Sequence, residues 1–92
     1  MFTKLLSLKP YSIALKTRNE GDFLVTMSID LEIRYLNQVA KEFYNLSNGF
    51  LTIKNIIDIL YKEYEVDYNK LSQDILFLVR DLQWSKIINL KK

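Results

Sequence analysis

The 92-residue chain contains no cysteine and no histidine. Those two absences remove disulfides, thiol nucleophiles, imidazole bases, iron–sulfur ligation and the usual zinc sites. Acidic residues such as Asp22, Asp30, Glu42, Asp58, Glu63 and Glu65 stand singly, without the spacing of a calcium loop. They read as solvated faces, and no metal or cofactor is expected. Excess charge of one sign is missing too: 13 basic against 11 acidic residues leave +2, too little for a strong phosphate-binding surface, so nucleic acid is disfavoured. No stretch approaches the roughly 20 apolar residues of a membrane span, and the first nine residues lack the long apolar segment and cleavage site of a secretory signal. A cytoplasmic location away from membranes is the expectation. A chain this short is expected to form one domain over 1–92 with a thin core. That leaves little room for an enclosed catalytic cavity, so a surface site and no enzyme activity are expected.

What is present is apolar and aromatic. Hydrophobic residues make up 49% of the chain, with six Tyr and five Phe, enough to argue for a folded domain. The two glycines, Gly21 and Gly49, separate segments of different periodicity and mark a turn and an interhelical corner. Before Gly21, residues 12–18 alternate in polarity. After it, 23–29 put Phe23, Val25, Met27 and Ile29 on one face. Asn19-Glu20-Gly21-Asp22 supplies hairpin chemistry. A third alternating strand, 31–35, follows a bend near Asp30, giving a three-stranded antiparallel meander. Residues 1–10 form an arm that is either loosely ordered or added to the sheet.

Asn37, Thr52 and Asp67 each precede a helical pattern and suit its N-cap. The first helix carries Val39, Ala40, Phe43 and Leu46. The second carries Ile53, Ile56, Ile57, Leu60, Tyr61 and Tyr64, the most regular stripe in the chain. The third carries Leu71, Ile75, Leu78 and Leu82. Three strands followed by three helices predict an α+β domain of winged helix-turn-helix type.

Two surfaces stand out. On the third helix, Lys70, Asp74, Phe77, Asp81 and Trp84 form a second stripe within an arc of about 80°, at about 100° per residue. Phe77 and Trp84 there either close the core or line a groove. The third strand is an edge whose main-chain groups lack a partner, with Glu32 and Arg34 alternating with Leu31, Ile33 and Tyr35. Such an edge is either protected by its charges or accepts an incoming strand.

Tyr35-Leu36-Asn37, Ala40, Phe43-Tyr44, Leu46, Asn48-Gly49, Thr52-Ile53, Tyr64, Val66-Asp67, Asp74 and Leu82 occur in an order and spacing that resembles the RiPP recognition element family. That family includes the small chaperone of pyrroloquinoline quinone biosynthesis, and the likeness covers roughly residues 11–90. Two positions depart from it: Asn48-Gly49 replaces an acid-glycine pair, and Ser85-Lys86-Ile87-Ile88 lacks a glycine before the terminal apolar pair. The resemblance implies a non-catalytic protein that holds the leader of a ribosomally made, post-translationally modified peptide. The leader would add as a strand to residues 31–35 and lie against the third helix. Leu31, Glu32, Ile33, Arg34 and Tyr35 would be the pairing edge. Asp74, Phe77, Leu78 and Asp81 would border the leader, with Lys70 and Trp84 at the ends and Asp74 contacting a basic leader side chain. The implied partner is a separate radical SAM enzyme, cyclase or protease. Three readings stay open beside it: a winged-helix DNA-binding domain, a structural subunit with a permanent protein interface, and a homodimer paired through the strand edge.

Overall fold

Gly21 has a φ of +61°, a left-handed conformation that costs glycine no Cβ clash. At the first central position of a two-residue loop it suits the II′ turn that matches strand twist. The computed structural model describes residues 5–92. In chain order they form β1 (Lys9–Ser12), β2 (Lys16–Glu20), β3 (Phe23–Met27), β4 (Ile33–Leu36), α1 (Gln38–Leu46), α2 (Ile53–Glu63), α3 (Tyr68–Trp84) and β5 (Ile88–Lys91). The Gly21-Asp22 loop joins β2 to β3 with Glu20 opposite Phe23. β3 pairs with β4 from Met27–Ile33 to Leu24–Leu36, completing an antiparallel sheet in the order β2-β3-β4. A second sheet pairs β1 with β5, so the two ends of the described chain close on each other. The fold is α+β.

Each helix starts where its cap predicts. Asn37 Oδ1 accepts from Ala40 N–H at 3.0 Å, Thr52 and Asn55 form a reciprocal capping box, and Asp67 accepts from Lys70 N–H at 3.0 Å. These bonds satisfy main-chain donors that a helix N-terminus leaves open. α3 ends in a Schellman motif: Ile87 N–H reaches Leu82 O at 2.8 Å and Lys86 N–H reaches Gln83 O at 3.1 Å. Lys86 takes the left-handed position, φ +61°, that glycine usually fills. Buried Ile87 then packs next to β5 and Leu82.

The core is built by Phe43 of α1, Ile53, Ile56, Ile57 and Leu60 of α2, Leu71, Ile75, Val79 and Leu82 of α3, and Leu24, Leu36, Ile87 and Ile88. On α3 the third buried position is Val79 in place of the expected Leu78, which is only partly buried. On α2 the stripe extends to Leu60, while Tyr61 is exposed.

Several strand expectations are corrected. The first strand is not 12–18: β1 ends at Ser12, and β2 begins at Lys16 and includes Asn19 and Glu20. β3 stops at Met27 rather than running to residue 29. Its core face is Leu24 and Thr26, so Phe23, Val25 and Met27 lie on the opposite, outer face. Apolar alternation alone pointed to the wrong side, because Thr26 is buried and its hydroxyl donates to Arg34 O at 3.2 Å. Of the N-terminal arm, Lys9 and Pro10 belong to β1; residues 1–4 lie outside the described part.

Candidate binding groove

The turn before β4 fixes which main-chain groups remain free. Ser28 N–H donates to Glu32 O at 2.9 Å, Leu31 N–H to Ser28 O at 2.9 Å, and Ser28 Oγ accepts from Asp30 and Glu32 N–H. Antiparallel pairs alternate between bonded and non-bonded. With Ser28 and Glu32 bonded, Thr26–Arg34 and Leu24–Leu36 are the bonded pairs of the ladder. The N–H and C=O groups of Ile33 and Tyr35 therefore point away from β3, and among the described residues no other strand takes them. Leu31 and Glu32 fall outside β4, a correction to the expected 31–35 strand. Leu31 instead adopts φ +66° in the turn.

β4 and α3 run in opposite directions with three points of register. Lys86 Nζ meets Asp30 Oδ2 at 2.6 Å, and Arg34 Nε meets Asp81 Oδ2 at 3.1 Å. Beyond the end of β4, Asn37 shares a cavity wall with Asp74. From Arg34 to Asn37 the strand advances about 10 Å, and from Asp81 back to Asp74 the helix covers about 10.5 Å. Arg34 reaches from β4 to α3: besides Asp81, its guanidinium donates to Glu32 Oε2 at 3.3 Å and to the Ile33 carbonyl, which no described strand pairs, at 3.0 Å. The side chain thus occupies one of the edge acceptors.

The helical stripe is solvent-exposed. Phe77 is 69% and Trp84 86% accessible, so neither closes the core. Ile33 at 48% and Tyr35 at 71% are exposed as well. Their side chains lie on the outer sheet face with Phe23, Val25 and Met27, so facing α3 falls to Arg34 and not to them. At the edge, Ile33 and Tyr35 present main-chain groups that β3 does not pair.

Past the end of β4, where Asn37 caps α1, lies a cavity of about 320 Å³ lined by Val39, Ala40, Tyr64, Val66, Leu71, Ile75 and Leu78 together with polar Asn37, Lys70 and Asp74. The Tyr64 hydroxyl donates to Glu42 of α1. That bond, then burial, pushes its pKa up to about 12. Neither the Lys70 ammonium nor the Asp74 carboxylate has a partner among the described residues. Sequence reasoning found Lys70, Asp74 and Leu78 here but missed Asn37, Val39, Tyr64 and Val66. Val39 and Tyr64 carry a helical spacing that reads as core, and only exposed Val66, between two helices, gave a separate signal. Among the described residues no three acidic side chains gather closely enough to hold a metal ion, and no helix is long and apolar enough to cross a membrane.

Comparison with protein-family models, curated proteins and solved structures finds no match to this chain.

Proposed function

We propose that the protein is a non-catalytic peptide-binding module of winged helix-turn-helix type. It captures the leader of a ribosomally synthesised precursor by strand addition to β4 and presents the remainder to a separate tailoring enzyme or protease in the cytoplasm. One observation carries the reading: main-chain groups of Ile33 and Tyr35 that no described strand pairs lie on a strand tied to α3 by Arg34–Asp81, and α3 carries exposed Phe77 and Trp84. Strand addition supplies affinity through main-chain bonds and selectivity through alternate side chains, and this groove offers both. The sequence resemblance points to the same edge and helix. Bound peptide would displace Arg34 from the Ile33 carbonyl and cover both aromatics.

The test is an amide NMR titration of labelled protein with a synthetic leader taken from a short precursor encoded beside it. Saturable shifts concentrated on residues 33–37 and 70–84 are expected. Shifts confined to the β2 edge or the outer sheet face, or none at large peptide excess, contradict the assignment.

A further inference from the structure

The groove has a chemical order along its length, and this inference rests on the peptide-binding reading above. Starting at the cavity, which is centred near Leu71 and Ile75, α3 presents Lys70 on one side. Asp74 stands level with the cavity, about 1.5 Å past its centre along the helix, and Phe77 and, at the far end, Trp84 follow downstream. Lys70 and Asp74 are one turn apart but unpaired, in the lysine-first order that is the weaker one on a helix. Both charges remain available to a ligand.

A strand added antiparallel to β4 runs in the same direction as α3, because β4 and α3 oppose each other. Antiparallel pairing is also the more stable arrangement. Inward-facing residues of that strand recur about every 6.8 Å. With one of them in the cavity, Lys70 lies about 4.5 Å upstream, Phe77 about 6 Å downstream and Trp84 about 16 Å downstream at 1.5 Å per helical residue. Successive inward residues therefore meet Lys70, the cavity, the Asp74–Phe77 step and the approach to Trp84.

From this we infer that the ligand is an extended segment reading, from N to C, acidic-x-bulky apolar-x-basic-x-apolar. The acidic residue pairs with Lys70. The bulky apolar residue fills the cavity, whose volume of about 320 Å³ holds one large side chain. The basic residue lays its stem on Phe77 and directs its charge to Asp74, combining ion pairing with a cation–π contact. The last apolar residue covers Trp84. Arg34 already engages Asp81, so that acid places no demand on the ligand.

Trp84 is the sole tryptophan and serves as the reporter. Fifteen-residue synthetic peptides without tryptophan would carry Glu-Thr-Phe-Thr-Lys-Thr-Leu, its charge-swapped form Lys-Thr-Phe-Thr-Glu-Thr-Leu, or the first sequence reversed. Each is titrated into the wild-type protein and into the Lys70→Glu, Asp74→Lys double variant, with circular dichroism confirming that the variant is folded. Turning two exposed charge contacts from attractive to repulsive is expected to weaken binding about tenfold. The first peptide should therefore lead by about tenfold on the wild type, and the charge-swapped peptide should lead on the variant. Equal binding of both charge orders to both proteins, with Ile33 and Tyr35 amides protected, overturns the charge order and leaves strand addition standing. A lead for the reversed peptide overturns the polarity. No Trp84 response and no amide protection with any of them, or with the encoded leader, overturns the peptide-binding reading as well.

Discussion

Leu31 and Lys86 are the two non-glycine residues with left-handed backbone among those described, and both sit at the lower end of the groove, beside the Asp30–Lys86 ion pair. A side chain in that conformation costs roughly 1–2 kcal/mol relative to glycine. At position 86 the Schellman geometry requires it regardless of residue. Lys86→Gly should therefore be more stable than Lys86→Ala by about 1 kcal/mol in urea unfolding, since both lose the same ion pair. Equal stabilities would mean that the turn relaxes. Tyr64 gives a pH prediction. Its folded pKa, about 12, lies above the usual value of about 10 because the neutral hydroxyl donates to Glu42. The folded state thus holds the proton more tightly, so the stability gained is complete below about pH 10 and is lost as pH rises through about 12. Ultraviolet titration should show Tyr64 ionising late, together with Tyr68, whose hydroxyl donates to Asp58 and whose pKa that bond raises, and Glu42→Ala should lower the Tyr64 midpoint alone.

At the level of elements, the stripe on α3 and the buried face of the same helix should respond in opposite ways. Phe77→Ala and Trp84→Ala remove exposed side chains, so each should lower leader affinity by roughly 1–2 kcal/mol while leaving the melting temperature nearly unchanged. Leu82→Ala, at a fully buried position, should cost about 2–5 kcal/mol of stability. Helices were legible in the sequence because Asn37, Thr52 and Asp67 combine local cap chemistry with long periodic stripes. Strands were less so. The β1–β5 pair joins residues nearly 80 positions apart, and nothing local in Lys9–Ser12 announces its partner. β3 misled because buried Thr26 spends its hydroxyl on Arg34 O, while apolar Phe23 and Met27 face outward. Val79 was passed over for Leu78 because both fit a helical stripe and only packing separates them. The groove was half legible: the aromatic and acidic stripe of α3 is written in a single helix. The cavity needs Val39, Tyr64 and Val66 from segments that only the tertiary fold brings to Asp74.

As a whole molecule, the protein has a Cα radius of gyration of 12.4 Å, close to the roughly 12 Å expected for one compact domain of this length. Among the described residues Arg18, Arg34, Lys54 and Lys86 form ion pairs. Around α3 the charges are mixed: Lys86 is held by Asp30 and Arg34 by Asp81 and Glu32, Lys70 and Arg80 form no ion pair among the described residues, and Asp74 and Asp81 lie on the helix that a DNA-binding winged helix would put in the major groove. Short duplex DNA should therefore give no saturable binding at physiological salt. A steep salt dependence at low salt would instead favour phosphate contact.

The central claim is strand addition at β4, and amide hydrogen exchange tests it most directly. In the free protein, Arg34 and Leu36 N–H groups are bonded to β3 and should exchange slowly, while Ile33 and Tyr35 should exchange fast. Saturating leader peptide should slow Ile33 and Tyr35 selectively, with little change at Arg34 and Leu36. If the leader binds and those two amides keep their fast exchange, the peptide is held elsewhere and the β4 assignment is wrong.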